Sequence, residues 1–176
     1  KSVQSVCRQL AVVDTGSSDS TIQIALDFGA EIYFYRWNDN FSNARNFALS
    51  CMRTEWILQL DADEYLQSNE PVLEVLFENA DKIGGFNVLI FNTLLYALFL
   101  KHRYTRIFRN LRSFHYQGAV HEQIADSILA SGFQIQDSPL TIHRTGYLKH
   151  NPVKTERNYT LLKNALHDNP SDPYLL

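Results

Sequence analysis

The 176 residues carry 16 Lys and Arg against 19 Asp and Glu, a formal net charge of −3, which argues against a large basic face for nucleic acid. Hydrophobic residues make up 45% and charged residues 20%, enough for a real core in one soluble domain, and no apolar run reaches the ~18 residues of a membrane span. Cys7 and Cys51 form neither a disulfide framework nor a metal-ligand spacing. With no signal peptide in view, a cytoplasmic location is expected, although the chain starts at Lys1 rather than Met and is read as a fragment or a processed form.

In chain order, Gln9 to Val13 is a short apolar run ending at Asp14, followed by the turn Thr15-Gly16-Ser17-Ser18-Asp19. Ile22, Ala25, Leu26 and Gly29 then recur at helical spacing, with Asp19 or Ser18 as the cap. Glu31 to Arg36 alternates as a strand, and Asn38-Asp39-Asn40 is a turn cluster. Phe41, Ala44, Ala48 and Met52 share one face of a second helix, 41 to 53, and Cys51 is read as a small buried hydrophobe. Trp56 to Leu60 is a third strand. Strand, helix, strand, helix, strand predicts a parallel α/β sheet with right-handed crossovers and a ligand beyond the carboxyl ends of its strands.

Further on, Pro71 opens a helix over 72 to 80, and Gly84-Gly85 turns the chain into a strand over 86 to 91. Tyr104 to Arg109 alternates as a strand, Ile142 lies in a short apolar strand ending at His143, and Lys154 to His167 is a last helix stopped by Pro170 and Pro173. There is no internal repeat. The apolar stretch around Leu94 to Leu100 favours self-association.

The densest chemistry lies in Trp56-Ile57-Leu58-Gln59-Leu60-Asp61-Ala62-Asp63-Glu64. An apolar run ends in three carboxylates that repel one another and resist desolvation. Asp-X-Asp at a strand end reads as a site for a hard divalent ion, Mg²⁺ or Mn²⁺, which most often neutralises a phosphate or diphosphate. Asp61 and Asp63, two apart, point to the same side of an extended backbone. A solvated acidic loop is the rival reading. Asp14 marks a second acidic strand end, with an Asx-turn as its rival role.

Three blocks carry a resemblance: Val13-Asp14-Thr15-Gly16-Ser17-Ser18-Asp19, Phe41-Ser42-Asn43-Ala44-Arg45-Asn46 and Leu60-Asp61-Ala62-Asp63-Glu64. Arg106-Ile107-Phe108-Arg109, Gly118-Ala119-Val120-His121-Glu122-Gln123 and Ile142-His143-Arg144-Thr145-Gly146-Tyr147 extend it. Together, over residues 9 to 168, they resemble family 2 glycosyltransferases of the GT-A fold, in the bacterial subgroup often joined to tetratricopeptide repeats. The resemblance implies a Rossmann-like mixed sheet flanked by helices, here lacking the family's N-terminal strand. It divides the chain into a transferase domain at 1–150 and, at 151–176, a helix leading into a helical-repeat region.

The activity it implies is metal-dependent, inverting transfer of a sugar from a nucleoside-diphosphate-sugar, a UDP-sugar first, to an unidentified acceptor hydroxyl. Asp14, Thr15, Gly16, Arg45 and Asp61 are implied nucleotide-sugar contacts. Arg106 and Arg109 are both candidates for the diphosphate, but three apart on a strand they cannot both face inward. Asp61 and Asp63 are implied metal ligands, joined by the late histidine His143, for which a structural role is the rival. Glu122 is implied as the general base, with His121 as its substitute or its orienter. Trp37, Tyr65 and Tyr147 are candidates for stacking on a sugar. Two other functions stay open: a nucleotidyltransferase acting on sugar phosphates, and a non-catalytic module that binds nucleotide-sugar.

Overall fold

The structure is a computed structural model and describes residues 2–67, 73, 76–78, 80–93, 99–145 and 152–168. Its elements are β1 (Ala11–Asp14), α1 (Thr21–Asp27), β2 (Glu31–Phe34), α2 (Phe41–Ser50), β3 (Trp56–Leu58), β4 (Glu64–Gln67), β5 (Ile83–Thr93), β6 (Phe99–Arg109), α3 (Ala125–Ala130), β7 (Gln134–Arg144) and α4 (Pro152–Asp168). Most of the helix expected over 72 to 80, the apolar segment at 94 to 98, and Gly146 and Tyr147 lie outside the described residues. No helix among the described residues is long and apolar enough to cross a membrane.

The chain divides into two compact units, and residues 151–176 fall within the second of them. One unit comprises Lys1–Arg8, Thr54–Phe114 and Ala125–His150; the other comprises Gln9–Arg53, His115–Ile124 and Asn151–Leu176.

The second unit is built on β1 and β2, which pair in parallel from Ala11↔Glu31 to Asp14↔Phe34. Ile22 and Ala25 of the intervening α1, and Phe28 just past its end, are half-buried, while Ile24 and Leu26 are 55% and 50% exposed. Leu26, expected on the inner face, is therefore on the outer one. A seven-residue helix gives too short a stripe for spacing alone to pick between Leu26 and Phe28.

The first unit is a five-stranded mixed sheet in the order β3-β6-β5-β7-β4. β5 and β7 are parallel, and the other neighbours are antiparallel. The sheet is thus of the expected mixed α/β kind, but the third strand is not where the periodicity placed it. β3 pairs antiparallel with β6 through Ile57↔Phe108 instead of lying parallel to β1 and β2. A three-residue apolar strand carries no mark of its partner's direction; burial of Ile57 (5%) against Phe108 (0%) decides it.

The late strands are also longer than the apolar runs suggest, because parts of them are buried only at alternate residues. Val88, Ile90, Leu140 and Ile142 form the inner face, whereas Leu89, Phe91, Thr141 and His143 lie on the half-exposed outer one. Gly84-Gly85 lies inside β5 and makes no turn. A Cβ on Gly84 would stand 2.6 Å from Ile128 and 2.7 Å from Phe133, so the missing side chain is what lets α3 close on the sheet.

One polar knot ties β2 to the end of α2. Glu31 accepts from Gln9 Nε2 at 3.1 Å and from Tyr33 Oη at 2.6 Å, and pairs with the Arg53 guanidinium. Gln9 in turn bonds Cys51 O at 3.2 Å and Arg53 N at 2.9 Å. Arg53 above all, then Tyr33 and Gln9, hold the Glu31 carboxyl down to about 2 from an ordinary 4.5. A depressed folded value means that this stabilisation is present above the unfolded value and lost as pH falls through the folded one. E31Q should therefore remove a slope in thermal stability between pH 4.5 and about 2. Melting curves of the two proteins that stay parallel across that window would refute it.

Candidate functional site

In the first unit, the chain leaves β3 at Leu58 and folds into a turn. Glu64 N bonds Asp61 O at 3.0 Å, and Asp61 N bonds Glu64 Oε2 at 2.9 Å. The turn gathers three carboxylates around two arginines. Arg106 lies on β6, 5% exposed, and Arg144 ends β7 directly opposite Glu64 in the ladder. Arg106 Nη2 stands 2.9 Å from Glu64 and 3.4 Å from Asp61, and its Nη1 donates to Gln59 Oε1. Arg144 Nη2 donates to Asp61, while its Nε stands 3.4 Å from Asp63 and 3.5 Å from Glu64.

Glu64 has a fully buried side chain. Burial pushes its pKa up, and Arg106 and Arg144 offset that only in part. For Arg144, burial works against the charge, but Asp61, Glu64 and Asp63 overcome it and hold its pKa above the ordinary guanidinium value.

Asp61 and Asp63 therefore do meet on one side, about a single guanidinium, although a turn rather than an extended strand brings them there. Their oxygens are the hard donors that Mg²⁺ or Mn²⁺ prefers, so the chemistry of the pair fits such an ion. In this arrangement a guanidinium holds that position. Among the described residues, no group of three or more His, Cys, Asp and Glu is set to hold a metal ion.

His143 is not brought to the carboxylates. Adjacent strand residues face opposite sides, and with Arg144 turned to the acids His143 lies on the outer face. There it stacks on Tyr65 at 5.1 Å and on Phe91 at 5.3 Å, and contacts Gln67 Oε1 at 2.7 Å. This is the structural role held as its rival, and it also places Tyr65 against His143. Arg109 is separate from Arg106 as the spacing requires: it pairs with Glu55, donates to Ala80 O and Ile83 O, and covers the Trp56 ring. Arg144, quoted in a motif but given no task, is the residue that sequence reasoning missed.

In the second unit, Asp14 ends β1, is 6% exposed, and accepts from Gly16 N at 2.9 Å and Ser17 N at 3.1 Å. Hydrogen bonding by Ser17 outweighs burial and, with Gly16, holds its pKa below the ordinary value. This is the Asx-turn geometry, and Gly16 at φ +119° supplies the backbone conformation that the turn needs. Thr15 and Gly16 are exposed beside it. Asp19 accepts from Thr21 N at 3.0 Å, but the N-cap position expected of Asp19 or Ser18 falls to Ser20, whose side chain makes no capping bond. Trp37 bonds Asp39 and packs against Phe41.

The block Phe41-Ser42-Asn43-Ala44-Arg45-Asn46 opens α2, capped by Asn40, whose side chain accepts from Asn43 N at 3.0 Å. Ser42, Arg45 and Asn46 are three and four apart, hence on one face of the helix. That face grips the loop 115–124. Phe41 N bonds Ala119 O, Ser42 Oγ donates to Gly118 O, and Asn46 bridges Tyr116 N at 2.7 Å and Tyr116 O at 3.0 Å. Arg45 Nε pairs with Glu122, and its guanidinium lies 5.6 Å from the centre of the Tyr116 ring. Gln117 and Gln123 close the loop with a two-way backbone bridge. Within it His121 has φ +62°, a left-handed conformation uncommon outside glycine, and is exposed, while the Glu122 side chain is 13% exposed. Arg45, implied as a nucleotide-sugar contact, is in this structure the partner of the implied base.

The Glycosyl transferase family 2 model matches residues 1–139. A TPR repeat-containing protein of Synechococcus elongatus is 33% identical over 99% of the chain and 45% of its own length. The SPbeta prophage-derived glycosyltransferase SunS of Bacillus subtilis is 28% identical over 98% and 42%. The chain thus spans less than half the length of these relatives. Among solved structures, S. aureus TarS 1-349 in complex with UDP-GlcNAc superposes with a TM-score of 0.53 at 15% identity, over 90% of this chain and 57% of that one. At that identity the likeness shows the shared fold.

Because Tyr116 is 4% exposed, N46A removes two bonds from a buried backbone, at a cost of about 1–3 kcal/mol for each polar group stranded. Denaturant unfolding should detect a loss of about 2 kcal/mol in N46A; no measurable loss would mean that the helix does not hold the loop.

Proposed function

The chain belongs to glycosyl transferase family 2, and from that premise we propose that it transfers a sugar from a nucleoside-diphosphate-sugar, a UDP-sugar first, to an acceptor hydroxyl with inversion at the anomeric carbon. The observation that carries this reading is the clamped loop: a motif helix spends four of its residues on holding the segment that presents Glu122. Glu122 takes the proton of the acceptor hydroxyl as its oxygen bonds the anomeric carbon. The bond from that carbon to the diphosphate breaks, and the nucleoside diphosphate leaves with the electron pair. Arg45 fixes the direction of the carboxylate, and His121 shapes the turn before it.

Asp14, with Thr15 and Gly16, is assigned to the nucleoside. Both of its oxygens already accept from the turn, yet a carboxylate has about four acceptor positions, so capacity remains for a base N–H or a ribose hydroxyl. Asp61 and Asp63 would hold Mg²⁺ or Mn²⁺, and His143 stays out of that set. When bound, such an ion offsets the negative charge that collects on a departing diphosphate. Arg106 sits at the same tip and supplies fixed positive charge. A cytoplasmic location belongs to the same proposal. The acceptor stays a hydroxyl of unassigned class.

E122Q separates catalysis from binding. UDP release from UDP-GlcNAc, offered as one member of a UDP-sugar panel, should fall by about 10²-fold or more in E122Q, while calorimetry of the same donor should give a Kd within about threefold of the wild type. Equal turnover by the two proteins would remove Glu122 from the role of base. Donor binding with no turnover by the wild type on any panel member would favour a binding module.

A further inference from the structure

The carboxylate tip holds an odd balance of charge. Asp61, Asp63 and Glu64 bring three negative charges, and Arg106 and Arg144 bring two positive ones. The two arginines are held very differently. Arg106 lies within β6, its side chain 6% exposed, fixed by Gln59, Asp61 and the fully buried Glu64. Its Nε is buried without a partner among the described residues, so the guanidinium is committed to the tip even at that cost. Arg144 ends its strand, has a 23% exposed side chain, and keeps one close bond, to Asp61. Its other contacts, to Asp63 and Glu64, stand at 3.4 and 3.5 Å.

From this arrangement we infer that Arg144 is the resident counter-cation of the tip, and that Asp61 and Asp63 accept a divalent cation only as Arg144 leaves them. The inference rests on the proposed assignment of Asp61 and Asp63 as metal ligands and extends it. The charges carry the argument. Without Arg144 the three carboxylates and Arg106 sum to −2, which a divalent cation cancels. With Arg144 in place, a divalent cation would make the sum +1 and crowd two cations onto the same oxygens, where like charges repel strongly. Arg106 stays put through the exchange, because Glu64 is buried and has Arg106 as its close partner. Arg144 is thus a specificity-determining residue: it sets how readily the tip takes a divalent cation.

The test is direct Mn²⁺ binding to the 176-residue chain without nucleotide, read from the electron paramagnetic resonance signal of free Mn²⁺. R144Q should bind about tenfold more tightly than the wild type if the guanidinium occupies the tip about nine-tenths of the time. R144K, which keeps the charge but loses the fork, should lie between them, and D63N added to R144Q should abolish the gain. Equal affinity of wild type and R144Q, lost in D63N, would overturn the role of Arg144 while leaving the metal ligands standing. No binding by either protein would overturn both.

A second measurement reads the wild type itself and needs a variant only for assignment. The Arg144 Nε–H resonance of the wild type, assigned by its absence from R144K, should shift or exchange away as Mg²⁺ is added. A resonance unmoved at saturating Mg²⁺ would overturn the exchange.

Discussion

The contact on which the first unit turns is the ion pair between Arg106 and Glu64, with side chains 6% and 0% exposed. An isolated charge buried to that degree costs several kcal/mol, and removing one member of such a pair costs about 3–5 kcal/mol. The pair therefore cannot be an ornament of the sheet. It anchors β6 to the turn after β3 and to β4, and by doing so fixes where Asp61 and Asp63 emerge. The remaining acids are satisfied by Arg144, which arrives on β7 from the far side of β5. Three stretches of chain, the β3–β4 segment, β6 and β7, meet at that one turn.

The second unit solves a different problem. Its loop 115–124 has little regular structure, yet it carries a left-handed histidine next to a mostly buried glutamate. Backbone in that conformation persists only when its surroundings over-determine it. The opening turns of α2 provide those surroundings through Phe41, Ser42, Arg45 and Asn46. A motif that reads as a ligand contact when seen as letters acts here as scaffold for another motif.

Much of the local structure was legible in the sequence. Asp14 as a strand end, the Asn38-Asp39-Asn40 turn before α2, and Trp56 as the start of a strand follow from short-range physics, and the structure has each of them. Partnership was not legible. Nothing in Trp56-Ile57-Leu58 says that its neighbour is β6 and antiparallel, because that depends on what other strands offer for burial. The late strands were read too short for a related reason: β7 begins with the exposed Gln134, Gln136 and Asp137, so its pairing runs well beyond its apolar stretch.

The candidate site divides along the same line. Carboxylate clusters announce themselves, since like charges in sequence need an explanation, and Asp61, Asp63 and Glu122 were singled out as candidates that way or by resemblance. What neutralises them could not be read, because a counter-charge can come from any strand. Arg144 was missed although three clustered acids were a signal that cations must approach. His143 was singled out because the resemblance implied a late histidine in the metal set, but side-chain parity turns Arg144 to the acids and His143 to the aromatic row.

That parity has an evolutionary consequence. Residues 143 and 144 are joined by one peptide bond, yet one faces a half-exposed aromatic row with Tyr65 and Phe91, and the other closes a knot of acids. Drift at the first should be tolerated wherever another flat or polar group can fill the row, while the second should be purged of almost every replacement. Two neighbouring codons thus answer to separate selective pressures.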